Sequence, residues 1–138
     1  MTEPSPLSVA RHWVQALAAG DFDAWPDLAD EALVMHVPFS PPGLFTECVG
    51  RDACIEMTRG FWAAMQSFAW HDIDIHASDD PGMIFGTARS EAMTVTGQAY
   101  TNRYCFIAKV RDGRVYDYTE YFNPLPVMEA FGAHLTPA

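Results

Sequence analysis

MIFGTARSEAMTVTGQAYTNRYCFIAKVRDGRVYDYTEYF, residues 83–122, decides the fold. Three runs rich in β-branched and aromatic residues, Met83 to Val95, Ala99 to Val110 and Val115 to Phe122, are divided by two turn signals, Thr96-Gly97 and Arg111-Asp112-Gly113. The stretch predicts an antiparallel meander of long strands. Long strands twist, so a meander with helices on one side should curl into a cone. Its closed end would be core and its mouth an apolar pocket.

Working outward toward the N-terminus, Asp79-Asp80-Pro81-Gly82 is a turn, and Phe68 to His76 alternates with period two. Strict alternation places His71, Ile73 and Ile75 on one face and Asp72, Asp74 and His76 on the other. Gly50-Arg51-Asp52 opens a helix carrying Ile55, Thr58, Trp62 and Met65. Ala32 to Phe39 reads as a strand apolar on both faces, hence covered twice. Ser40-Pro41-Pro42-Gly43 breaks it, and Leu44 to Val49 fits a short edge strand. Ser5-Pro6 is a cap and first-turn proline for a helix ending at Gly20. A second, short helix runs from Asp21 through Trp25 and Leu28. After Asn123-Pro124, Val127 to Phe131 forms a last helical turn or two. Helices first, then one helix inside a run of antiparallel strands, is an α+β pattern: a cone-shaped curved mixed or antiparallel sheet with about three N-terminal and central helices enclosing an apolar pocket, as one domain over residues 1–138.

Composition narrows the function. A chain of 138 residues with 49% hydrophobic and 19% charged residues can bury a core without metal or disulfide. A net charge of -10 with only 8 basic residues argues against nucleic acid and against an anionic membrane surface. Cys48, Cys54 and Cys105 have no paired spacing, and the chain start lacks a signal-peptide pattern, so a cytoplasmic setting is expected. No phosphate loop, nucleophile elbow or metal-ligand spacing appears, and neither a cofactor nor a metal is expected. The polar face bearing His76, Asp72 and Asp74 reads most simply as solvated. Long strands with apolar residues on both faces also suggest a homodimer.

Three segments carry a family resemblance. They are Pro38-Phe39-Ser40-Pro41-Pro42-Gly43-Leu44 followed by Gly50-Arg51-Asp52-Ala53; Thr96-Gly97-Gln98-Ala99-Tyr100-Thr101-Asn102-Arg103-Tyr104; and Gly113-Arg114-Val115 running to Glu120-Tyr121-Phe122-Asn123-Pro124. With the element order, they resemble the nuclear-transport-factor-2-like superfamily of SnoaL-like and ketosteroid-isomerase-like proteins, and most closely its phenazine-biosynthesis A/B-type members. The resemblance implies an acid–base role for Glu120. The histidine those members carry on a helix falls near Met57 here and is absent. The aspartate base of the ketosteroid isomerases has no match in the first strand, which offers His36.

The residues themselves point the same way. Glu120 lies in an aromatic-rich strand, and alternation puts Tyr116, Tyr118 and Phe122 on its face. Lost hydration would raise its carboxyl toward neutrality, the range suited to general acid or base work. Tyr104 and His36 are the candidate assistants, Tyr104 as donor to a developing oxyanion and His36 as proton shuttle. Candidate ligand contacts are Tyr100, Asn102, Tyr118, Trp62, Phe61, Met57, His71, Phe39 and Phe122. Two readings follow. One is a cofactor-free enzyme performing isomerisation, cyclisation or dehydration on a small hydrophobic carbonyl compound. The other is a non-catalytic binding domain with the same pocket.

Overall fold

The computed structural model describes residues 3–135. Helix α1 (Pro6–Ala19) begins where the Ser5 hydroxyl accepts the Ser8 N–H at 3.2 Å and ends at Gly20, whose left-handed φ of 65° closes the last turn. A 3₁₀ turn (Phe22–Ala24) leads into the short α2 (Trp25–Leu28). There follow β1 (Ala29–His36), β2 (Glu47–Val49), α3 (Arg51–Ala63), β3 (Met65–Ala77), β4 (Met83–Thr94), β5 (Ala99–Arg111), β6 (Arg114–Phe122) and α4 (Pro124–Leu135).

The strands form one open sheet in the order β2-β1-β6-β5-β4-β3. Only β1–β6 is parallel. The three long strands occur where the two turn signals place them. The sheet is mixed because the first strand returns beside the last. Its curved face, covered by helices, is the expected α+β cone.

Alternation along β5 defines the faces: Tyr100, Asn102, Tyr104, Phe106, Ala108 and Val110 are buried, while Thr101, Arg103 and Cys105 are exposed. Register carries this inner face across the sheet. Tyr104 lies opposite Ala88 and Phe122, and Phe106 opposite Gly86 and Glu120. Helices α1 and α2 cover it with Trp13, which packs edge-on against Trp25 and Tyr118 at centroid separations of 4.6 and 5.6 Å. A second apolar cluster joins Met65, Tyr100 and Val127 with Phe61, Phe68, Phe122 and Phe131, so α4 closes the sheet at that end.

Three expectations are corrected. The first strand is buried on one face only, through Leu33 and Met35, and runs 29–36 rather than 32–39. Its far side stays open because no helix packs there, and Pro38 has no N–H to extend the ladder. In β3 the register slips between His71 and Asp74, with Asp72 at a φ of 54°, so strict alternation fails: Trp70 faces inward opposite Ser90, His71 faces outward opposite Arg89, and Ile75 returns inward opposite Gly86. In β6 one extra residue sits between Val115 and Asp117. It takes Tyr116 off the Glu120 face, and the Tyr116 ring lies 4.0 Å under the Arg111 guanidinium instead.

Candidate functional site

The site begins with strand β6. Its alternation beyond the bulge sends Tyr118, Glu120 and Phe122 inward. The Tyr118 hydroxyl donates to Glu120 Oε1 at 2.9 Å. Glu120 is half-buried as a residue, and the protein around its carboxyl strips much of its hydration. Desolvation pushes that carboxyl up from 4.5 to about 7, and the Tyr118 bond offsets only part of the rise. At neutral pH both protonation states are therefore populated.

Strand β5 adds Tyr100 and Tyr104. Burial raises both phenols, and the Glu120 carboxylate adds to the rise in each, which places the three groups in one electrostatic neighbourhood. The Tyr104 hydroxyl is 2.9 Å from Ser90 Oγ and 3.5 Å from the Tyr100 hydroxyl. Trp70 stacks on Tyr104 at 4.8 Å and on Phe106 at 6.0 Å. Its indole N–H is buried and meets no acceptor among the described residues. The arrangement offers a titrating carboxyl beside neutral hydrogen-bond donors in an aromatic wall.

Sequence reasoning placed Glu120, Tyr104, Tyr100, Tyr118 and Phe122 together, and the structure brings them together. Phe61 packs on Phe68 and Tyr100 at the α4 end. Trp62 packs on Phe68 and against Gly20, and Met57 packs on the main core, so both support the helix layer. Asn102 is on the inner face, but its amide is engaged by the backbone of Asn123 and Arg103 and by Tyr100.

The remaining candidates lie elsewhere. His36 projects to the outer side, between Asp117 at 3.0 Å and Glu47 at 3.4 Å, and does not meet Glu120. The β3 bulge sends His71 outward toward Glu91, at 3.6 Å. Phe39 is 54% exposed and packs on Tyr121, the outward neighbour of Glu120. Ser90 and Trp70 were missed. A two-residue Thr96-Gly97 turn would pair Ser90 with Arg103; the hairpin loop instead spans residues 95–97, which sets Ser90 opposite Asn102, a register visible only in the fold.

Two surface concavities, of about 460 and 170 Å³, are lined by residues such as His12, Asp21 and Leu28, and by Arg11, Gln15, Ile73 and Ile75. Neither includes Glu120. Among the described residues, no group of three or more His, Cys, Asp or Glu side chains converges as a metal-ligand set, and no helix is long and apolar enough to cross a membrane.

Residues 10–118 match the model of the SnoaL-like domain family. An uncharacterised PhzA/B-like protein of Pseudomonas aeruginosa is 30% identical over 128 residues, spanning 88% of this chain and 86% of its own. A Bacillus subtilis crystal structure, provisionally described as an isomerase, is 26% identical with a TM-score of 0.79 and 94% coverage of both chains. A phenazine biosynthesis-related protein of Pseudomonas aeruginosa, at 16% identity and a TM-score of 0.76 over 96% of this chain and 86% of its own, shares the fold. With the fold and the family match in agreement, the chain belongs to the SnoaL-like domain family.

Proposed function

We propose that this protein binds a small hydrophobic carbonyl compound, polycyclic ones included, and performs proton transfer at a carbon next to the carbonyl, the step shared by isomerisation, cyclisation and dehydration. The observation that carries the reading is the Glu120 carboxyl set on the helix-covered face among the hydroxyls of Tyr118, Tyr104 and Tyr100. Tyr118 holds Oε1, which leaves Oε2 to take the proton. The C–H electron pair moves toward the carbonyl oxygen, and a hydrogen bond from Tyr104 stabilises the enolate. This step needs a base and a donor, both supplied by the chain, and no cofactor.

The relative described as an isomerase, and a fold neighbour from Xanthomonas campestris provisionally described as a polyketide cyclase, are in keeping with this chemistry. The reading includes an aromatic-lined pocket that opens as the substrate displaces side chains of the inner wall. It also includes a cytoplasmic homodimer formed through the outer sheet face, where exposed Phe85 lies opposite Ile107 and Phe39 covers Tyr121. Neither a nucleic acid nor a membrane is a partner in this reading.

The test is deuterium incorporation next to the carbonyl of 2-tetralone in D₂O, followed by NMR. The wild type should accelerate exchange with a rate inflection near the Glu120 pKa, and a folded Glu120→Gln variant should lose at least about a hundredfold, the low end of general-base contributions. Equal rates for the two proteins would reject the assignment and leave a non-catalytic binder.

A further inference from the structure

Hydrogen-bond directions at Asn102, behind Tyr104, follow from donors and acceptors whose roles are fixed. The Asn102 side-chain oxygen receives the backbone N–H groups of Arg103 and Asn123, at 2.8 and 2.9 Å. Backbone N–H groups only donate, so the orientation of this amide is not ambiguous. Asn102 Nδ2 spends its two protons on the Asn123 carbonyl and the Tyr100 hydroxyl, each at 2.9 Å. Tyr100 thus accepts from Asn102, and among the described residues its own proton has one acceptor within reach, Tyr104 at 3.5 Å.

Ser90 makes the second contact to Tyr104. Its Oγ receives the backbone N–H of Asn102 at 3.1 Å, and its second polar contact is the Tyr104 hydroxyl at 2.9 Å. Ser90 is 2% exposed, so water does not take its proton. The Ser90–Tyr104 and Tyr100–Tyr104 contacts join three buried hydroxyls, so one proton goes without an acceptor among the described residues; a ligand oxygen at Tyr104 takes up that proton's bond if Ser90 and Tyr100 both donate to Tyr104. The Tyr104 oxygen then accepts from Ser90 and Tyr100, and its own proton is the one in the chain left uncommitted. Accepting two bonds polarises the phenol and strengthens it as a donor.

We propose that Ser90 is a positioning residue: by donating to Tyr104 and being itself oriented by the Asn102 backbone, it turns the Tyr104 proton toward a ligand oxygen. The proposal rests on the preceding reading of Tyr104 as the donor to the substrate carbonyl. It also narrows the ligand, which must bring a hydrogen-bond acceptor, not a hydroxyl donor, to Tyr104.

The experiment compares binding of 2-acetylnaphthalene with that of 2-ethylnaphthalene, matched in shape but lacking the oxygen, by quenching of tryptophan fluorescence. The ratio of the two affinities isolates the hydrogen bond from apolar contact. The wild type should prefer the ketone. Ser90→Ala and Tyr104→Phe should each lower that preference about five- to tenfold, the worth of one hydrogen bond. In the double variant the Ser90 change should have no further effect, which a general loss of packing would not produce. Ser90→Cys preserves volume while weakening the donor, and gives the same measurement if Ser90→Ala folds poorly. If Tyr104→Phe loses the preference and neither Ser90 variant does, Ser90 does not position Tyr104 and the reading of the site stands. If the wild type shows no ketone preference, or binds neither probe, both fall.

Discussion

The Tyr118 hydroxyl donates to Glu120 Oε1 at 2.9 Å, from a position two residues earlier on the same strand and the same face. That geometry is rigid. Tyr118 is held edge-on by Trp13 at 5.6 Å and tilted against Phe106 at 6.1 Å, so the donor cannot swing away without disturbing the core. One carboxylate oxygen is anchored and the other is left for chemistry.

The first prediction tests this anchor. The Tyr118 bond favours the ionised carboxylate and works against desolvation. Tyr118→Phe should therefore raise the Glu120 pKa further above about 7. Titration of a ¹³C-labelled glutamate carboxyl by NMR reads it. An unchanged or lower value would mean that the hydrogen bond does not govern the charge.

A second prediction concerns stability against pH. Folding raises the Glu120 pKa from 4.5 to about 7, so the unfolded chain ionises first and the folded state is penalised as pH rises. The contribution from a neutral Glu120 is complete below pH 4.5, erodes between there and about 7, and is gone above. The shift corresponds to about 3 kcal/mol. Glu120→Gln cannot ionise and still accepts from Tyr118. Urea unfolding should find the variant level with wild type near pH 4.5 and more stable above pH 7, by up to that amount. A variant less stable than wild type at pH 8 would contradict the buried, neutral carboxyl.

How much of this was legible in the sequence depends on where parity holds. Glu120, Phe122 and Tyr118 lie beyond the β6 bulge, and counting in twos placed them correctly. Tyr116 lies at the bulge and was misplaced. His71 failed for the same reason: the extra residue near Asp72 is a backbone event with a positive φ, and no residue type there announces it. The long-range neighbours were harder still. His36 sits beside Asp117, 81 positions away, because β1 pairs in parallel with β6, and a hydropathy pattern carries no information on which strands pair. Asn102 was read as a ligand contact because it shares a face with Tyr100 and Tyr104. Its role as a clasp on the Asn123 turn depends on a backbone that only the folded chain brings near.

The clasp gives a third prediction. Asn102 serves four partners at once: the N–H and C=O of Asn123, the N–H of Arg103 and the Tyr100 hydroxyl. Asn102→Ala strands several buried polar groups and should cost about 2–4 kcal/mol in chemical unfolding. Asn102→Asp keeps both acceptor bonds, loses the donors and brings a charge beside Tyr100, so it should be no better at neutral pH and should recover partly in acid. A loss below about 0.5 kcal/mol for Asn102→Ala would show that water replaces the side chain and that no clasp exists.

The last prediction concerns Gly86, on the inner face between Ile75 and Phe106. A methyl group there would lie 2.8 Å from the Asp74 carbonyl oxygen and collide with the Phe106 ring. The carbonyl belongs to the neighbouring strand and cannot retreat without opening the β3–β4 ladder, so the ring must move. Overpacking of this kind costs about 1–3 kcal/mol. Phe106 lies opposite Glu120 and stacks on Trp70, so displacing its ring opens the wall that desolvates the carboxyl. Gly86→Ala should thus lower both the urea midpoint and the Glu120 pKa, the latter from about 7 back toward 4.5. The two effects separate the explanations. Lost stability with an unmoved pKa would mean that Phe106 fills the core but does not shield Glu120, whereas a fall in both ties the absence of a side chain at position 86 to the tuning of the carboxyl.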